Sequence, residues 1–293
     1  MKQLKKAVSQ KMNRFMAVLN RQPQFLFLKR LLAAWKEDDG ADRAAAISYY
    51  AFMAIFPLLL GLVALLGFFL PDENVRQVVS DALAQALPGS ADFIEESLDE
   101  IIRLRGASSI ISILGLLWSG SNLFTAVRRS LNRAWGIKEE RNFIVGKARD
   151  LALVLGIGVL FLLSMASNSV VNFVGESEIQ PVSLLISIGS RLLGFLLVLL
   201  VFLIIYKWMP NVHAPWRWTW PGGLLAAVLF EAGIYIFIFF LTNFATFQLV
   251  YGPLASVIVF LLWIYLSAII LIIGVEVNSE LYKASKRKAQ VSP

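Results

Sequence analysis

Hydrophobic positions in this chain fall into long unbroken runs separated by short polar or charged stretches. Six runs reach the roughly 20 residues that cross a bilayer core. They cover about 44–70, 107–127, 151–174, 182–206, 222–243 and 252–275. Each predicts a membrane-spanning helix, because a helix satisfies its own backbone hydrogen bonds in lipid. Two other stretches keep helical periodicity with one apolar face. Ahead of the first run, Phe25, Leu28, Leu32 and Trp35 recur at helical spacing with Lys29, Arg30 and Lys36 between them. That pattern predicts an amphipathic helix in the membrane interface, ended by a break at Gly40. Between the first two runs, 71–106 carries two short amphipathic patterns, one through Val78, Val79 and Leu83 and one through Phe93, Ile94 and Leu98. Their other faces are acidic, as expected of helices folded over the outer mouth of a bundle.

The expected fold is therefore all-α, a polytopic membrane protein of six transmembrane helices with amphipathic interfacial helices. Residues 1–22 read as a basic arm, 23–283 as the membrane domain and 284–293 as a basic tail. Composition agrees: the 293 residues are 58% hydrophobic with a mean hydropathy of +0.69, above the usual share for a soluble domain. The first 22 residues lack the apolar core of a cleavable signal.

Charge adds an orientation. Of 27 Lys and Arg, 23 lie in 1–43, 128–150, 207–221 and the segment after 276. The 71–106 loop holds three, against eight acids. By the positive-inside rule both termini face the cytoplasm. The net charge of +7 is then a topology signal with anionic lipid headgroups as a second role, and nucleic acid is not an expected partner.

Candidate chemistry is sparse. The chain has no cysteine and one histidine, His213, so thiolate chemistry is excluded and a multi-histidine metal site is not expected. No metal or other cofactor is expected, and no nucleophile stands out, so the chain does not read as an enzyme. Charges at membrane depth are rare and usually functional or paired. Two qualify: Arg191, ten residues past Pro181, and Glu231, ten residues past Pro221. Counted from those prolines, both fall about 15 Å into the bilayer. The pair reads either as a register lock between consecutive spans or as part of a transport path. Asn122, and Asn168 with Asn172 four residues on, extend the candidate path as intramembrane amides. Arg128, Arg129 and Arg133 follow the second span and are candidates for contacting lipid headgroups. Pro57 is a candidate kink in the first span, and Glu276 is expected near water at the end of the last. In "KWMPNVHAPWRWTWPGG", four tryptophans predict an aromatic belt at the headgroups, and His213 reads as a polar loop residue.

Four stretches in order, "AAAISYYAFMAIFPLLL", "LLWSGSNLFTAVRRSLNRAWG", "PGGLLAAVLFEAGIYIF" and "QLVYGPLASVIVFLLWIYLSAIILIIGVEVN", resemble the YihY/BrkB family of bacterial inner-membrane proteins. The resemblance spans about 30–283 and implies six helices in the bacterial inner membrane. Glu231, Tyr251, Gly252, Trp263, Gly274 and Glu276 match family positions. Members were formerly labelled ribonuclease BN, a label that the lack of metal ligands here does not support. Family links to serum resistance and envelope lipid export imply movement of an amphiphile.

The leading expectation is a transporter or flippase-like protein for a lipid or other amphiphile. No GxxxxGK[ST] loop occurs, so it would carry no ATPase of this type. Membrane lipids, anionic ones above all, are the expected partners. The alternative is a non-transporting scaffold for envelope machinery, docking a protein partner on the acidic 71–106 segment.

Overall fold

A computed structural model describes residues 23–66, 109–137, 180–212, 214–243 and 254–291, with five isolated positions between 146 and 156. Expectations for 1–22, the 71–106 segment, Asn168, Asn172, His213, Tyr251 and Gly252 lie outside the described residues. Six helices carry nearly all the rest: α1 (Pro23–Glu37), α2 (Gly40–Leu66), α3 (Ser109–Ala134), α4 (Gln180–Trp208), α5 (Trp216–Asn243) and α6 (Ala255–Val291). No strand occurs among the described residues.

The expected all-helical architecture is borne out. Three windows are long and apolar enough to cross a membrane: Arg191–Trp208, Trp216–Asn243 and Val257–Arg287. The last two differ from the sequence expectation at their ends. Helix α5 begins at Trp216, so Pro221 lies inside it instead of ahead of it. Helix α6 runs 37 residues, through Glu276 and on to Val291.

Local sequence explains where the helices stop. The break expected at Gly40 is present: Asp39 takes a positive φ of 53°, and Gly40 opens α2 beneath the Trp35 indole. Helix α3 ends on Gly136, with φ of 71°. The Gly136 N–H donates to the Arg133 carbonyl and the Ile137 N–H to the Asn132 carbonyl. This paired closure caps the last carbonyls and needs the left-handed conformation that glycine adopts without strain.

Helix α6 is central, packing against α1, α2, α3 and α5, while α4 joins the bundle through α5. The core gathers Ala44 and Ile47 from α2, Leu131 from α3, Phe202 and Tyr206 from α4, Ala226 and Ala227 from α5, and Ile272 and Val275 from α6. A second cluster centres on Trp263, packed between Phe230 and Phe237. Small residues let α5 and α6 approach closely where Gly222 faces Gly274. In lipid, where apolar burial alone drives little association, such close packing is what holds helices together.

Leu192, Leu193, Leu196 and Leu200 of α4 and Tyr235, Ile236 and Phe239 of α5 are exposed. An apolar outer surface of this kind suits lipid, not water. The ends of α3, α4 and α6 meet the starts of α2 and α5 at one end of the bundle, called here the basic end.

Candidate functional site

Polar side chains converge at the basic end. They come from two stripes on α6, where the apolar run gives way to "GVEVNSELYK". On one stripe, Tyr206 Oη of α4 donates to the Leu271 carbonyl at 2.8 Å and its hydroxyl lies against Gly274. One turn further on, Asn278 Oδ1 accepts the Gly222 N–H at 2.8 Å. The buried Gly222 N–H, inside α5 just past Pro221, is thus bonded to α6. The other stripe carries Glu276, Ser279, Glu280 and Lys283. Ser279 Oγ donates to the Ala134 carbonyl at 2.6 Å, tying α6 to the end of α3. Nearby, the Asn211 N–H donates to Asn132 Oδ1 at 2.7 Å, which fastens the α4–α5 connection to α3.

Glu276 is buried, at 1% exposure, and no donor is placed on either of its carboxylate oxygens. The sequence expectation put it within reach of water. The structure corrects this, because α6 continues four turns past Glu276 and the α1–α2 elbow folds over it. Asp38 of the elbow, Lys283 and Glu280 are its charged neighbours.

The elbow is latched to α3 by two arginines. Arg43 Nε donates to the Asp38 carbonyl at 2.6 Å and Arg43 Nη1 to the Arg129 carbonyl at 3.3 Å. Arg133 Nε pairs with Asp38 Oδ1 at 3.0 Å. Burial presses the Arg43 guanidinium below its ordinary range, Arg133 adds to this, and Asp38, Asp39 and Glu276 oppose it. Arg43 nonetheless stays a cation, as arginine does in proteins.

The other expected site residues are distributed differently. Arg191 is exposed on α4 and Glu231 half-buried on α5, and no hydrogen bond or ion pair joins them among the described residues. Along the helix axis the two residues are offset. Contacts of Phe202 with Phe230 and of Leu203 with Gly223 set the antiparallel register. At 1.5 Å per residue, they leave Arg191 roughly 6–15 Å from Glu231 along the axis. Side-chain packing fixes that register, whereas counting from the two prolines assumed that each marked a membrane surface. Asn122 is half-buried in α3, and Pro57 lies inside α2. Trp263 and Gly274 are core positions. Of the three expected headgroup contacts, Arg133 serves the elbow, Arg129 lends its carbonyl to the same latch, and the Arg128 guanidinium approaches Gly146. Trp208, Trp216 and Trp220 are exposed around the α4–α5 connection, with Lys207 over the Trp216 ring. On α1, Leu28 and Leu32 face outward with Lys29 and Arg30, while Trp35 turns in toward the core.

Asp38, Arg43, Tyr206, Asn278 and Ser279 were not singled out from the sequence. A signal existed: Gly274 and Asn278 stand four apart, as do Glu276 and Glu280, in a run otherwise apolar. Among the described residues, no group of three or more His, Asp or Glu is placed to hold a metal ion.

A family model described as virulence factor BrkB matches residues 31–293. The ribonuclease-like protein YfkH of Bacillus subtilis is 29% identical over 274 residues, covering 89% of this chain and 96% of that protein. A UPF0761 membrane protein of Halorhodospira halophila is 30% identical, covering 87% of this chain. The chain spans only 57% of that longer relative. The UPF0761 membrane protein VV0203 of Vibrio vulnificus is 28% identical, with 87% and 82% of the two chains covered. No solved structure matches.

Proposed function

Since the chain belongs to the virulence factor BrkB family of membrane proteins, we propose that it moves a lipid or other amphiphile at the bacterial inner membrane. It does so without an ATPase of its own. In this reading it crosses the membrane six times, and the basic end with both termini faces the cytoplasm.

The observation that supports an amphiphilic cargo is the setting of Arg191. Its side chain is exposed and makes no hydrogen bond or ion pair among the described residues. Leu192, Leu193, Leu196 and Leu200 follow it on the same helix, all exposed. A guanidinium at the head of an apolar strip complements an anionic headgroup with its acyl chain, because an unpaired charge in lipid is costly. Glu231, half-buried on α5, lies on the side of Arg191 nearer the basic end.

The test is reconstitution. Purified protein in proteoliposomes should accelerate movement of a fluorescent anionic lipid between leaflets, with or without a proton gradient. Failure with anionic and zwitterionic lipids, under both conditions, would overturn the reading.

A further inference from the structure

Glu276 and Asp38 set a problem of hydrogen-bond accounting. Both Glu276 oxygens are buried and receive no donor. A carboxylate left so is strongly disfavoured unless something neutralises it. The cation nearest in role, Arg43, is committed elsewhere: its Nε and Nη1 donate to the carbonyls of Asp38 and Arg129. The Asp38 carboxylate of the elbow, held at Oδ1 by Arg133, is the acidic neighbour of Glu276. Two facing carboxyl groups attract only when a proton lies between them, and neighbouring like charges do not both ionise readily.

We propose that Glu276 of α6 is a proton-binding site, its one exchangeable proton facing the Asp38 carboxylate of the α1–α2 elbow. Asp38, with its side chain 18% exposed, gives the proton its way to solvent. The charged groups facing the pair are Asp39 and Arg43 from the elbow and α2, Arg133 from α3, and Glu280 and Lys283 from α6. Binding and release follow from these positions. With the proton bound, one hydrogen bond ties the elbow to α6, and Arg43 keeps both carbonyls. When the proton leaves to water, two carboxylates face each other. Arg43, cationic throughout, is then drawn from the Asp38 and Arg129 carbonyls toward Glu276, so Asp38, with α1, moves away from α6 and the elbow also loosens from α3. The site is a proton-operated latch whether or not the cargo is an amphiphile.

The test uses the full chain in lipid nanodiscs. Infrared difference spectra between acid and alkaline buffer should show a protonated carboxyl band in the parent that is lost in Glu276→Gln. The chain has no cysteine, so Lys29→Cys and Arg287→Cys can carry a spin-label pair across the elbow and α6. In the parent, their distance should lengthen as pH rises. In Glu276→Gln, whose amide donates to Asp38 at any pH, it should stay at the acid-form value. Asp38→Asn should behave alike and serves if Glu276→Gln does not fold. A carboxyl band unchanged in the variant, or a spin-label response equal in parent and variant, overturns the proposal. So does a parent that shows no pH response.

Discussion

The Tyr206 hydroxyl donates to the Leu271 carbonyl across 2.8 Å, joining the end of α4 to the middle of α6 at a buried position. This bond crosses 65 residues of sequence, and it works because Gly274, one turn on, leaves room for the phenol. Tyr206→Phe keeps the ring packing against Phe202 and removes only the donor. The Leu271 carbonyl stays within the α6 helical ladder, so the loss should be modest, about 0.5–1.5 kcal/mol. Thermal denaturation of purified protein in detergent would show it as a small decrease in midpoint with the same elution profile.

Substitution at Gly274 should cost more. A Cβ there points at the Tyr206 hydroxyl and lies 2.9 Å from the Gly222 carbonyl. Gly274→Ala therefore drives α5 and α4 off α6, and overpacking of this kind costs about 1–3 kcal/mol. Combining it with Tyr206→Phe should recover part of the loss, since the hydroxyl is one of the two obstacles. A double-mutant cycle by thermal denaturation checks this, and strict additivity would contradict it.

Asn278→Ala removes the acceptor for the buried Gly222 N–H. Losing a buried hydrogen bond of this kind costs about 0.5–1.5 kcal/mol. Hydrogen exchange at the start of α5, near Gly222, should rise more than exchange in the middle of that helix.

The two arginines of the elbow should separate. Arg133 is 47% exposed where it meets Asp38, and exposed pairs contribute about 0–1 kcal/mol, less at high salt. Arg43 spans two backbone carbonyls from a half-buried position. Arg43→Ala should destabilise more than Arg133→Ala, and the gap should persist at high salt. Equal losses, vanishing together with salt, would mean that the elbow is held by surface charge alone.

Arg191→Gln tests the proposed headgroup contact. The side chain has no hydrogen bond or ion pair among the described residues, so thermal stability should stay within about 0.5 kcal/mol of the parent. Movement of an anionic fluorescent lipid in proteoliposomes should fall several-fold, and that of a zwitterionic one much less. Equal effects on both lipids would remove the headgroup role.

The helical character of the chain was legible in the sequence because it depends on run length and local rules. Apolar runs long enough for a bilayer give helices, and the break expected at Gly40 follows from a backbone conformation at Asp39–Gly40 that only nearby residues determine. Glu231 and Arg191 stood out for the same reason: a charge inside an apolar run is visible without a fold. Their relation was not legible, because antiparallel register depends on which side chains interdigitate, and Phe202 with Phe230 and Leu203 with Gly223 set it. Glu276 shows the same limit from the other direction. Its position near the end of a span looked like access to water, but exposure is decided by what folds across a residue. Here that is an elbow more than 230 residues away in sequence, carrying Asp38 and Arg43. Sequence alone determined the helical character of the described elements and the break at Gly40, while the bounds of α5 and α6 differ from what it predicted. The tertiary structure decided which polar groups lose water and face one another, since desolvation and pairing are properties of contacts between distant segments.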